Sequence, residues 1–199
     1  MNFVKKWLSC ILGFVSGVLG LALSACSGMV VYQKIDATAL GRGSNEVESV
    51  TKAFKVITDG DLYKQAKQMD ITTEFVWLKI FAIVTLVIAV LLIVFAVVKL
   101  LQNLNVIKCS SSIIDNVGHG LFIALLVSTI GLLICSNMYA SAVEDVITSK
   151  IKLGFGSYIS AITYKVSAKV GAYQPIMLVI SIIAVLANGA MAIVNRKAK

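Results

Sequence analysis

The chain has 199 residues, of which 58% are hydrophobic and only 14% are charged, and its mean hydropathy is +0.91. These values exclude an ordinary soluble domain and are typical of a polytopic membrane protein. In a soluble protein the formal charge of +8 would suggest nucleic acid, but here the basic residues lie mostly at the ends of apolar stretches, which excludes that partner and indicates membrane topology.

Four long uncharged stretches, each bracketed by charged residues, organise the chain. A bilayer core about 30 Å thick needs roughly 20 apolar residues in helical conformation. We therefore predict an all-α membrane protein with four transmembrane helices, in a single tetraspan domain over residues 1–199. The predicted spans cover about residues 7–33, 76–101, 120–143 and 173–195, and the outer loops cover residues 34–75 and 144–172.

The basic residues beside the spans predict the orientation. Lys5 and Lys6 precede the first span without an acidic residue, and Arg196, Lys197 and Lys199 follow the last span. Short flanks weigh most in the positive-inside rule. We therefore expect a multi-pass protein of the plasma (cytoplasmic) membrane with both termini in the cytoplasm.

A stripe of small residues runs along the first helix. Its members, at steps of three or four residues, are Ser9, Gly13, Gly17, Gly20, Ser24 and Gly28. This spacing places them on one helix face, where the lack of bulk allows a second backbone to approach closely. Packing inside the monomer is the expected role, and a subunit interface or a pore-lining face is the alternative.

The end of the first helix also resembles a bacterial lipoprotein signal. Residues 23–26 read Leu-Ser-Ala-Cys, which matches the lipobox and makes Cys26 a candidate for lipidation. The apolar stretch continues beyond Cys26, however, and is longer than the usual signal core. We expect the helix to be retained, while removal of residues 1–25 is the alternative.

The first outer loop has the pattern of two short helices. Asn45 is a candidate N-cap with Glu48 reaching back, and a second helix is predicted to start at Asp61 and to end near Asp70. The apolar positions of the first helix are Val47, Val50, Phe54 and Ile57. Such apolar faces must rest on the membrane helices, on the bilayer surface or on a neighbouring subunit.

The remaining spans carry shorter repeats of small residues. In the second span these are Ala82, Ala89 and Ala96, in the third Ala124, Ser128, Gly131 and Cys135, and in the fourth Ser181, Ala184, Asn188 and Ala192. The other faces of the second span are bulky and apolar. We therefore expect the second span to be the most exposed to lipid, and the other three spans to meet through their small residues.

Few polar groups lie within the spans. Lys79 and Lys99 are placed where their side chains should reach the interface, so no embedded ionisable group is expected. That pattern lowers the probability of an ion-driven transporter. Asn188 and Asn137 are predicted to form hydrogen bonds between helices.

The second outer loop alternates apolar and polar residues on both sides of Gly154 and Gly156. This alternation predicts a β-hairpin, although helical spacing also survives from Ile159 to Val170. An exposed strand edge here is a surface on which a neighbouring copy can pair.

Reactive groups are sparse. The four cysteines, Cys10, Cys26, Cys109 and Cys135, all lie outside the predicted outer loops, which excludes disulfide-stapled loops of the connexin or tetraspanin kind. The Trp and Cys signature of claudins is also absent, so a four-helix layout is the only feature shared with them. His119 is the single histidine, and no hydrolase, nucleotide-binding or metal motif occurs. We expect no enzymatic activity, no cofactor and no metal site.

These patterns favour a non-enzymatic tetraspan protein that acts by self-assembly, as a structural scaffold or as a weakly selective oligomeric pore. Its expected partners are the lipid bilayer and copies of itself or another membrane protein. The alternatives are an accessory or immunity-type subunit that binds another membrane protein and, third, a carrier of a small apolar molecule.

Overall fold

The computed structural model describes residues 2–37, 45–108, 110–154 and 163–197. These residues form six helices and three strands. In chain order they are α1 (Asn2–Cys26), β1 (Gly28–Ala37), β2 (Asn45–Lys52), α2 (Ala53–Thr58), α3 (Gly60–Gln68), α4 (Thr72–Asn103), α5 (Ser111–Gly154), β3 (Thr163–Val170) and α6 (Tyr173–Lys197).

Four of these helices are long and apolar enough to cross a membrane. The candidate spans are Trp7–Cys26, Thr72–Asn103, Ser112–Val146 and Tyr173–Ala190. The protein therefore has the architecture of a multi-pass, tetraspan membrane protein, as the composition predicts.

Helices α3 and α4 end in the same way. Asp70 and Asn105 have φ angles of 60° and 58°, the left-handed conformation that short polar side chains tolerate. The amide of the next residue donates back across the turn, from Ile71 to the Ala66 carbonyl and from Val106 to the Leu101 carbonyl, each at 3.0 Å. This is the Schellman pattern, which satisfies the last carbonyls of a helix and stops it sharply.

The three strands form one antiparallel sheet with β1 in the middle, in the order β2-β1-β3. Val30 of β1 is opposite Val170 of β3 and Thr51 of β2. Met29 and Val30 are fully buried, so the start of β1 belongs to the core. The sheet therefore joins the chain directly after the first span to the chain directly before the last one.

The first span is shorter than predicted. Helix α1 ends at Cys26 instead of near Gln33, and Gly28, which was assigned to the helical stripe, is the first residue of β1. An apolar run by itself does not distinguish helix from strand. Here the β-branched and aromatic residues after Gly28 favour a strand, and pairing with two other strands stabilises it.

The helix predicted from Asn45 is wrong, because residues 45–52 form β2. Val47 and Val50 fit a helical face, but the stretch also alternates acidic and apolar residues, which suits a strand. Pairing with β1 decides between the two patterns. Helices α2 and α3 follow β2, so residues 53–58 and 60–68 of this loop are helical.

The predicted β-hairpin of the second outer loop is also not what the described residues form. Residues 144–154, expected at the start of the loop, continue α5, and the single strand β3 pairs with β1. Residues 155–162, which include the predicted turn at Gly156, lie outside the described part of the chain. Period-two alternation indicates a strand but does not identify its partner.

The chain divides into two compact units. The first consists of residues 1–25, 83–131 and 175–199, and the second of residues 26–82 and 132–174. Helices α4 and α5 contribute residues to both units. The first unit contains helices only, and the second contains the sheet, α2 and α3.

Candidate functional site

In the first unit, the small-residue stripe of α1 lies directly against α4. A methyl group added at Gly17 would be 2.6 Å from the Ala89 carbonyl oxygen and 2.6 Å from Cγ1 of Ile93. One added at Gly13 would be 3.1 Å from Cδ1 of Phe95. The absence of side chains at these positions therefore brings the two helices into close contact.

Helix α4 is thus a packing partner of α1, whereas we expected it to be the helix most exposed to lipid. Its Ala89 and Ala96 are buried, and methyl groups added at Gly17 and Gly20 would both come within 3 Å of Ala89. Val87, Val90 and Val94 on another face of α4 are exposed. The helix therefore combines one packed face with one that is free to contact lipid.

Side-chain hydrogen bonds join α6 to two other helices of the first unit. Ser9 donates to Oδ1 of buried Asn188 at 3.1 Å, which connects α1 to α6. The hydroxyls of Thr129 and Ser181, 3.2 Å apart, connect α5 to α6. Asn137 differs from the prediction, because it is exposed and donates to the Leu133 carbonyl of its own helix.

Further hydroxyl groups of this unit are buried, on α1 and on α5. Ser16 and Ser24 of α1 are both buried, as is Ser128 of α5. Ser24 and Ser128 donate to carbonyls three residues back in their own helices, at 2.7 and 3.0 Å. Such bonds allow hydroxyl groups to be buried at little cost. The serine face of α1 is therefore covered by the chain itself.

A buried ion pair joins α4 to α5. Nζ of Lys99 is 2.5 Å from the carboxylate of Asp115, and the two side chains are 9% and 42% exposed. The sequence did not identify this partner: the ammonium of Lys99 is held by a carboxylate of a neighbouring helix. A charge within a span that is paired in this way is a candidate functional group.

Two further polar groups lie beside this ion pair. Nδ1 of His119 is 2.7 Å from the carbonyl oxygen of Asp115, one turn earlier in α5. Cys10 of α1 donates to the carbonyl of Ala96, at 3.2 Å, and Ala96 is three residues before Lys99. Helices α1, α4 and α5 therefore all contribute polar groups to this part of the first unit.

The second unit has its own buried polar cluster. The side-chain Nε2 of Gln174 donates to the Met29 carbonyl at 2.9 Å and to the Ser136 hydroxyl at 2.6 Å. The Met29 carbonyl also accepts from the amide of Gly171, at 2.8 Å. Gln174 is fully buried, and its cluster connects β1 to α5 and to the segment that leads into α6.

Sequence reasoning did not single out Gln174 or Ser136. The available signal was a glutamine at the start of an apolar span, directly before the only proline of the chain, Pro175. An amide at such a position needs a buried partner, because hydrocarbon offers none.

The other predicted site residues are dispersed. Gly131 is half-buried on α5. The thiol of Cys26 is free and exposed, whereas Cys10 and Cys135 are free and buried. Cys109 lies outside the described residues. Cys26 thus keeps the accessibility that lipidation requires.

No protein-family model matches the chain, and a search of curated proteins finds no match either. In the part of the chain that the structure describes, no group of three or more His, Cys, Asp or Glu residues is arranged to hold a metal ion. The packing surfaces, the buried polar groups and the sheet are the features of the molecule that bear on its function.

Proposed function

We propose that the protein is a non-enzymatic scaffold of the cytoplasmic membrane that acts by assembling with copies of itself. The observation that carries this proposal is the sheet. Among the described residues, β2 and β3 each pair with β1 alone, so the outer edge of each has no strand partner there. Such edges are ready templates for pairing with another chain.

The buried serines favour a scaffold over a pore. A pore of identical subunits needs a helix face that water can wet. The polar candidates for such a face, Ser9, Ser16, Ser24 and Asn188, are all buried within a single chain. Assembly through the sheet requires none of them, so it leaves the helix packing unchanged.

Size-exclusion chromatography with light scattering, on the protein purified in detergent, tests the proposal. We expect a defined mass that is a multiple of the 21.3 kDa chain. We also expect that liposomes containing the protein show no flux of small ions. A monomer would contradict self-assembly and favour the accessory-subunit alternative. Ion flux from the oligomer would favour the pore.

Two proline variants test the edge of β3 directly. The backbone amides of successive residues in a strand point to opposite sides of the strand. One of the two variants Ser167→Pro and Ala168→Pro therefore removes a hydrogen bond to β1, and the other removes an amide at the open edge. The variant that keeps its thermal stability is the edge variant, and we expect it to be monomeric. A stable variant that keeps the full oligomeric mass would exclude the β3 edge from assembly.

Cysteine labelling tests the proposed orientation. Lys52 and Lys169 are exposed on β2 and β3, and Asn105 is exposed in the link between α4 and α5. In a background without the native cysteines, we expect Lys52→Cys and Lys169→Cys to react with an impermeant maleimide on intact cells. Asn105→Cys should react only after the membrane is permeabilised. The reverse labelling pattern would show that the protein has the opposite orientation in the membrane.

A further inference from the structure

Three aromatic rings are exposed on three successive helices of the second unit. Phe54 of α2, Tyr63 of α3 and Trp77 of α4 are 53%, 42% and 51% exposed. Large rings left uncovered in water are unfavourable, and Trp and Tyr are enriched where a protein crosses the membrane interface. We therefore expect a partner that covers the apolar faces of the rings and leaves the Tyr hydroxyl and the Trp N–H in a polar environment.

The position of α3 is fixed relative to the start of the α4 span. The amide of Ile71 donates to the Ala66 carbonyl at 3.0 Å, and Ala66 and Phe75 are both buried. The rings of Tyr63 and Phe75 are 6.2 Å apart. Because the candidate span begins at Thr72, these contacts hold α3 beside the start of that span.

Packing also fixes the direction in which α2 presents its ring. Ala53 and Val56 are buried, whereas Phe54 and Lys55, between them in sequence, are exposed. One face of α2 thus rests on the protein, and the face with the phenyl ring points away from it. An apolar ring next to a cationic side chain is typical of helices that lie in a membrane interface.

The charges beside the rings are of both signs and fit a zwitterionic phospholipid headgroup. Lys55, Lys64 and Lys67 are exposed on α2 and α3, and Asp61 and Asp70 are exposed beside them. Lys64 has a salt bridge to Asp61 at 2.8 Å, but both groups are about three-quarters exposed, so the pair is weak and the lysine can exchange partners. Lipid phosphates supply the opposite charge at the depth where interfacial rings insert.

We propose that Phe54, Tyr63 and Trp77 form an anchoring surface that inserts into the headgroup layer of the same bilayer that α4 spans, with the neighbouring lysines facing lipid phosphates. The α2–α3 segment then lies on the membrane instead of projecting into water. This contact is independent of self-assembly, because it forms in a single chain surrounded by lipid.

Quenching of tryptophan fluorescence by brominated phosphatidylcholine tests the proposal. The chain has two tryptophans, Trp7 and Trp77, so Trp7→Phe leaves Trp77 as the sole reporter. In a Trp7→Phe, Trp77→Phe background, Phe54→Trp places the reporter on α2. In the same background, Lys169→Trp places a control at an exposed position of β3. With bromine near the headgroup, we expect quenching at positions 54 and 77 to exceed that at position 169 at least about twofold, because interfacial rings lie at headgroup level.

Equal quenching at positions 54 and 169 would overturn the proposal. The proposal would also be overturned if position 54 were unquenched and its emission changed when the protein is diluted in lipid, since a second copy would then cover the ring. Quenching that persists at high dilution, where any oligomer has dissociated, would support anchoring whether or not the scaffold proposal survives.

Discussion

Gly17→Ala is expected to lower the free energy of unfolding by about 1–3 kcal/mol, the usual cost of overpacking a filled interior. The added methyl would be 2.6 Å from the Ala89 carbonyl oxygen, which is backbone and cannot turn aside. Helix α1 would therefore have to move away from α4 and lose contact along the stripe. Thermal unfolding in detergent, followed by circular dichroism, measures the loss.

Gly120→Ala is the matched control. Gly120 lies in a helix of the same unit, but a methyl group there would meet nothing within 4 Å. Alanine is favoured over glycine in helices by about 1 kcal/mol, so this variant should be neutral or slightly more stable. Equal melting temperatures for the two variants would show that the stripe is not a tight contact.

Asp115→Asn is expected to destabilise the first unit more than Lys99→Met does. Removing the carboxylate leaves the buried Lys99 ammonium without its counter-charge, whereas replacing the lysine by a similarly long apolar side chain leaves a half-exposed carboxylate that water can reach. Breaking a fully buried pair costs about 3–5 kcal/mol, and the cost here should be smaller because Asp115 is 42% exposed.

The same melting assay separates the two variants, and the double variant completes the comparison. If the pair is mainly a structural contact, Lys99→Met with Asp115→Asn should recover most of the stability that Asp115→Asn loses. A double variant as unstable as Asp115→Asn would contradict this account and would mean that Asp115 has another stabilising contact.

The spans were predictable from sequence because each depends on local composition. The run of aliphatic residues between Lys79 and Lys99 has one physical solution in a bilayer, a helix. The strands were not predictable in the same way. Residues 28–33 read as a continuation of an apolar helix until two distant segments are available to pair with them.

The candidate sites also combine a local part, which the sequence predicted, with contacts to distant residues, which it did not. Spacing alone placed Gly13 and Gly17 on one face of α1, but it does not identify the helix that meets them. Small residues pack against small residues or against large ones, and here Ala89, Ile93 and Phe95 of α4 provide both. The ion pair of Lys99 depended on Asp115, which lies in the next helix and outside any local pattern.

The pairing of β1 with β3 also sets the order in which the protein is completed during synthesis. Val30 and Val170 are partners, although 140 residues separate them (170 − 30). Ribosomes need on the order of 10 s to add that many residues at roughly 5–20 per second. Until then the Met29 carbonyl lacks both of its donors, Gly171 and Gln174, and the nascent chain has an open place for a third strand. An unfinished or truncated chain thus leaves one edge of β1 without a strand partner, and the finished chain fills that place with β3.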